Sequence, residues 1–424
     1  MAKIFILSTK PISTKMGGPA LRCWEMAKIL AEENEVVLGI PNKPEFFCEN
    51  FKTVQVNIFN IWKFLSESEI IISHHLPAVY LPYTLIKKKI FVLDFYNLVF
   101  FENLDVMAKD SSSFLKKNPE YALKSFEANL LCADYILCSG EKQRDVIIGM
   151  LLALSRIEKD IYKREPNLKG FIDIVGFGIP LDEPVKTNQV VKGVIPGINR
   201  DDFLLIWSGG LWEWFDLTTL INAVAIAARQ NSKIKLLFMG RKLPVSSALS
   251  DKKLDEIVKL SKELNLFDKY VFFQEWVSYE KRADYYIEAD SAVITHNDIL
   301  ETRYSFRIRF MDSLWARLPV ICSRGDQHAK LVEDEQLGIA ISIGNEFELA
   351  EAILKMARDK EFREKCRKNI GDIRKNFKWE KVLSPLVNFC KNPRKTPHKA
   401  GVFSVSLKVF SLFFDRLILS KFRK

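Results

Sequence analysis

The 424 residues, 48% hydrophobic and 27% charged, are those of a soluble globular chain with enough material for two cored domains. The net charge of +10 is uneven: residues 391–424 carry nine Lys/Arg against the single acid Asp415, so the remainder holds only about +2, which argues against a nucleic-acid-binding core. Seven scattered cysteines show no CxxC and five histidines show no zinc spacing, so buried, reduced thiols in a reducing compartment are expected and no metal site is.

Lys3–Ser8 is a short apolar run suited to a buried parallel strand. A loop with Gly17 and Gly18 follows, then a helical stretch whose Ala20, Trp24, Ala27 and Leu30 share one face. The two glycines allow either close backbone approach to a ligand or simply a tight turn. Further strands are expected at Val36–Ile40, Ile70–Ser73, Phe91–Asp94 and Tyr135–Cys138. Helical segments alternate with them, so the chain reads as α/β with parallel sheets. Polar groups cluster where those strands end: His74 and His75, Asp94, and Glu141. Ligands bind at such ends, which makes these four candidate site residues; loop histidines that only cap a strand are the alternative for His74 and His75.

Residues 171–203 read as a strand, a Gly/Pro turn and a polar linker. A second α/β series then starts at Phe203–Ser208, followed by Gly209-Gly210 and a helix that Asp216 can cap. Strands are expected at Lys235–Arg241, Val271–Phe273 and Ala292–His296. Between residues 301 and 326 the sequence ETRYSFRIRFMDSLWARLPVICSRGD reads as a helix from Ser305 to Trp315 and a strand Pro319–Cys322. Ser305 can cap that helix, whose free N–H groups favour an anion. Arg307 and Arg309 put two cations in the same turn, against the helix dipole, which fits a bound diphosphate; a surface helix with solvated arginines is the competing reading. Helices at 346–358 and 360–374 and a last one from Trp379 to Cys390 complete the fold. In the tail, Phe403, Leu407, Phe410, Phe414 and Leu417 share a helical face beside basic residues. That pattern suits a helix lying on an anionic membrane surface, or one docked on protein.

Five segments in this order, KMGGPALRCWEMAKIL, VLDFYN, CADYILCSGEKQRD, WSGGLWEWFDLTTLINAV and ETRYSFRIRFMDSLWARLPVICSRGDQHAKLV, resemble glycosyltransferase family 4, a GT-B fold, over residues 3–390. The resemblance implies two Rossmann-like domains facing a deep cleft, here 1–185 on the acceptor side and 200–377 for the nucleotide-sugar, with a crossover helix at 378–391 and a basic amphipathic tail at 396–424. It implies a nucleoside-diphosphate sugar donor, a saccharide or lipid-linked acceptor, retaining chemistry and no cofactor or metal. The family's glycine loop matches Gly17 and Gly18. Its ribose-binding second glutamate matches Asp312; the first falls at Tyr304, with Glu301 a possible substitute. Its usual Arg and Lys fall near Gly210 and Trp214, where both charges are missing, and Arg307 and Arg309 are expected to supply them. Arg241 and Trp276 lie in loops expected to shape the base and sugar pockets. A family histidine falls at Asp94, which makes it a catalytic candidate with the two arginines.

The expected function is glycosyl transfer in cell-surface glycan synthesis, with Arg307 and Arg309 stabilising the leaving diphosphate. A nucleotide-sugar epimerase using His74, His75, Asp94 and Glu141, and an inactive membrane-bound scaffold, are the alternatives. With a strand at the N-terminus and no apolar run long enough to span a bilayer, a cytoplasmic, peripheral membrane location is expected.

Overall fold

The computed structural model describes residues 1–45, 47–102, 104, 119–240, 248–396 and 405–407. The chain divides into two compact units, one of Met1–Ser13, Gly17–Phe177 and Glu380–Lys424, the other of Thr14–Met16 and Gly178–Trp379.

The first unit is built on a seven-stranded sheet. Its strands are β1 (Lys3–Leu7), β2 (Glu35–Ile40), β3 (Lys52–Gln55), β4 (Ile70–Ser73), β5 (Ile90–Asp94), β6 (Tyr135–Cys138) and β7 (Ile172–Ile174). They lie in the order β3-β2-β1-β4-β5-β6-β7, and every pairing is parallel. Strands buried on both faces need continuous apolar runs, and β4 and β6 are buried along their whole length. Only β3 was not anticipated; its sequence KTVQ is an edge strand with no apolar run to reveal it.

The second unit holds β8 (Phe203–Ser208), β9 (Ile234–Met239), β10 (Val271–Gln274), β11 (Ser291–Ile294), β12 (Val320–Ser323) and β13 (Gly338–Ile341). Their order is β10-β9-β8-β11-β12-β13, again parallel throughout. In sequence rank this is 3-2-1-4-5-6, a doubly wound sheet whose winding reverses between β8 and β11. Leu205, Trp207, Leu236, Phe238 and Ile321 pack beneath the Leu217–Gln230 and Glu346–Arg358 helices to form its core. Asp216 caps the first of these, its Oδ1 accepting from the Thr219 amide at 3.1 Å.

Two expected helices are broken. The helix expected from Ser305 starts only at Ile308 and runs to Trp315 with Arg307 at its N-cap, and a kink separates it from a five-residue helix, Leu300–Tyr304, that precedes it. The last helix is divided into Trp379–Val382 and Ser384–Lys391. The second piece belongs to the first unit, where Phe389 stacks on Tyr135 at 4.1 Å. Beyond it, Lys395 Nζ reaches Asp134 Oδ2 at 2.8 Å, and the Thr396 amide donates to Asp134 Oδ1 at 2.9 Å. Of the amphipathic tail only Thr396 and residues 405–407 are described, the latter as helix with Val405 buried; the rest lies outside the described residues. No described helix is long and apolar enough to cross a membrane.

Candidate functional site

At the reversal point of the second sheet, β8 ends in Ser208 and the chain turns through Gly209 at φ +83°, a conformation that favours glycine. Gly240, at φ +124°, ends β9 beside it: a Cβ there would lie 3.3 Å from Gly209 O and 3.3 Å from Trp276 Cε3. The ends of β8, β9 and β10 thus bring Gly209, Gly240 and Trp276 together. Arg309 comes to the same place from the Ile308–Trp315 helix. Its guanidinium lies 4.4 Å from the centre of the Trp207 ring and 4.0 Å from that of Phe215, and Nη2 donates to Gly210 O at 3.2 Å. Its Nη1 is buried without a hydrogen-bond partner among the described residues. Burial and neighbouring Arg307 push the Arg309 pKa down to about 9, still charged at neutral pH. A desolvated cation with a free donor, beside a glycine turn at a sheet's reversal point, has the chemistry to receive an anion.

Residues 194–372 match the family model described as glycosyl transferases group 1. The second unit contains a group 1 glycosyltransferase domain. The chain is accordingly a glycosyltransferase enzyme, of the α/β GT-B fold class with two Rossmann-like sheets. Among solved structures it is similar to HepE of Anabaena in complex with UDP, at 13% identity and TM-score 0.67, over 92% of this chain and 100% of that one. It is similar to sucrose-phosphate synthase from Thermosynechococcus elongatus at 16% identity and TM-score 0.62, over 92% and 98%. A glycosyltransferase from Rickettsia africae gives 12% and 0.61, over 92% and 98%. At these identities the likeness is one of fold. Comparison with curated protein sequences gave no match.

Within the glycosyltransferase domain, several expected donor residues have other partners. Arg307 is buried and forks onto Glu301, Nη1 to Oε1 at 2.9 Å and Nη2 to Oε2 at 2.9 Å. Its Nε faces Asp326 Oδ2 at 3.4 Å. Both faces of this guanidinium meet carboxylates, so Arg307 is a structural ion pair and not a free phosphate ligand. Glu301, buried by the same pairing, is likewise unavailable to a sugar. Ser305 does not cap the helix; it ends the preceding one, and its Oγ donates to Glu301 Oε1 at 2.6 Å. Asp312 holds Arg282 Nε at 3.2 Å and accepts from Tyr286 Oη at 3.3 Å, and burial raises its carboxyl pKa against the pull of Arg282. Arg282 itself is clasped between the Tyr279 and Trp315 rings, 3.5 and 4.2 Å from their centres. Arg241 lies outside the described residues.

The sequence reading missed His296, Asp326 and His328. Asp326 Oδ1 accepts from the amides of His328 and Ala329, capping the Gln327–Asp334 helix. Its Oδ2 faces His296 Nε2 at 3.4 Å as well as Arg307. Burial pushes the His328 pKa down to about 4, although Asp326 opposes it. The only sequence signal was an acid placed before a helix, which reads as an ordinary cap.

In the first unit, Gly17 and Gly18 start the Gly18–Leu30 helix, and a Cβ on Gly17 would meet nothing within 4 Å. Asp94 is not a free acid or base. Arg22, fully buried, donates to both its oxygens at 2.8–3.0 Å and also reaches Val175 O at 2.8 Å. His74 Nδ1 donates to Asp94 O at 2.8 Å, since a carbonyl can only accept, which leaves Nε2 as an acceptor. Burial lowers the His74 pKa, so the ring is neutral. His75 Nε2 is tied to Ser125 Oγ at 2.7 Å, and burial with neighbouring His74 pushes its pKa down to about 4. Glu141 is exposed in the first turn of the Glu141–Ala153 helix.

Proposed function

We propose that the enzyme moves a sugar from a nucleoside-diphosphate sugar to a saccharide or lipid-linked acceptor in cell-surface glycan synthesis, with retention. The observation that carries the donor class is the unpartnered Nη1 of Arg309 beside Gly209 and Gly210. Negative charge grows on the diphosphate as the sugar leaves. A cation already desolvated and fixed over two aromatic rings needs no reorganisation to stabilise that charge. Glycine at 209 lets the phosphate oxygens approach the backbone. Each Asp312 oxygen keeps a lone pair beyond its bond to Arg282 or Tyr286, enough to accept a ribose hydroxyl. On the acceptor side, neutral His74 offers Nε2 to a hydroxyl. HepE binds UDP and UDP-glucose in its solved structures, so uridine donors are the first to test.

The epimerase alternative, with His74, His75, Asp94 and Glu141, has less support, because Asp94 is held by Arg22. The basic tail is proposed to keep the protein peripheral on the cytoplasmic membrane face. Titration calorimetry with UDP, GDP, CDP, ADP and dTDP is the direct test. One nucleotide should bind the wild type and bind Arg309→Ala roughly 10- to 100-fold more weakly, the loss of a charge-assisted hydrogen bond. No binding by the wild type to any of them would sink the reading.

A further inference from the structure

The first unit carries large apolar side chains that its own core does not cover. Ile58 and Phe59 are 70% and 85% exposed, and Val79, Ile86 and Trp62 are 60%, 58% and 41% exposed. They are not scattered. Trp62, on the Ile61–Glu67 helix, meets Tyr80 and Tyr83 edge-on at 4.9 and 5.4 Å, which joins that helix to the segment 78–86. Ile86 follows Tyr83 by one turn on the Leu81–Ile86 helix.

The tip is held rigid. Asn57 Oδ1 accepts from the Phe59 and Asn60 amides at 2.9 and 3.1 Å, Asn60 Oδ1 accepts from the Asn57 amide at 2.8 Å, and Asn60 Nδ2 donates to Gln55 O at 2.9 Å. Two bulky apolar residues are thus held out in water by a braced turn, with no ordering cost left when they are covered.

Charge selects what covers them. Lys63 lies on the same helix, exposed, and Lys87, Lys88 and Lys89 follow Ile86 directly. Lys89 Nζ donates to Ser66 O and Ser68 O at 2.7 and 2.6 Å, which fixes the lysine run against the end of the Trp62 helix. Glu67 and Glu69 are the acids on this side, leaving an excess of two positive charges over these six residues. Lys395, just before the basic tail, is also here: its Nζ donates to Lys89 O at 2.5 Å. Exposed Ile and Phe at a loop tip, a Trp–Tyr cluster behind them and a lysine rim have the chemistry of a bilayer interface.

We propose that this face of the first unit, Ile58, Phe59, Trp62, Val79 and Ile86 with Lys63 and Lys87–Lys89, seats on an anionic lipid surface. It rests on the peripheral-membrane reading above only in the choice of partner; the anchor lies in the folded unit, not in the tail. The test is co-sedimentation of the full chain with vesicles of phosphatidylcholine and with vesicles in which about a third is phosphatidylglycerol. The wild type should bind the anionic vesicles better, and less at high salt. Ile58→Ser with Phe59→Ser, both at exposed positions, should lower binding roughly tenfold or more. Lys87→Glu with Lys88→Glu should remove the preference for anionic lipid. Nucleotide affinity and melting temperature should stay unchanged in both variants. Equal binding by the Ile58/Phe59 variant overturns the inference while leaving the tail proposal standing. No binding by the wild type overturns both. A change of oligomeric state on substitution would assign the face to a second copy and also overturn it.

Discussion

Replacing Arg307 with Ala distinguishes a buried ion pair from a ligand-binding cation. The substitution leaves Glu301 and Asp326, 3% and 6% exposed, facing a void that held their shared positive charge. Breaking a buried pair on one side costs about 3–5 kcal/mol. For a unit of this size a loss of 1 kcal/mol lowers the melting temperature by about 2–4 °C, so a drop of about 6–20 °C is expected. Arg309→Ala removes a cation–π contact of about 1 kcal/mol, but it also removes a buried nitrogen that had no partner. Its net effect on melting should stay within a few degrees. Calorimetric melts of both variants, with nucleotide titrations on whatever remains folded, give the comparison. An Arg307→Ala protein that melts with the wild type yet no longer binds nucleotide would refute the assignment of the two arginines.

Asp94→Ala should behave as a folding variant. It strips the fully buried Arg22 of its carboxylate and should cost about 3–5 kcal/mol in urea melts of the first unit; a stable variant deficient only in turnover would restore Asp94 to catalysis. Stability should fall in mild acid, because His328 is neutral in the folded chain down to about pH 4 while its unfolded counterpart gains a proton near pH 6.5. The share of the loss due to His328 begins as pH drops through 6.5, levels off below 4 and reaches about 3 kcal/mol at most. Asp326, whose folded pKa is depressed, adds a second loss below the ordinary carboxylate range. Urea midpoints at neutral and mildly acidic pH check this, and a His328→Gln profile as steep as the wild type would count against it. Gly338→Ala would place a Cβ 1.8 Å from Val320 O, between β12 and β13, and should cost about 3 kcal/mol or more; wild-type melting would contradict the register.

Most strands were legible because parallel strands with both faces covered must be written as apolar runs. Lys3–Leu7, Ile70–Ser73 and Phe203–Ser208 announce themselves that way, and β3, at an edge, does not. The site was less legible. Trp276 could be found because it follows a strand end that the alternation locates, and Arg309 because it stands in the first turn of a helix that the apolar pattern reveals. The fates of Arg307 and Asp94 could not, because each depends on a partner supplied by another element: Asp326 for Arg307, and Arg22, 72 residues away, for Asp94. Nothing in local spacing separates a cation aimed at a ligand from one aimed at a carboxylate. Ser305 failed for a different reason. The segment FR kinks the chain between two short helices, and no proline or glycine marks the break.

The anchoring of Lys395 and Thr396 on Asp134 has a practical side. The match to the group 1 glycosyltransferase model ends at residue 372, so anyone trimming the gene to that match would cut upstream of it. Such a protein would lose the ammonium and the amide that Asp134 holds, 261 and 262 positions away. The start of the basic tail is thus a late-made seam of the first unit, closed only after the whole second unit has been synthesised.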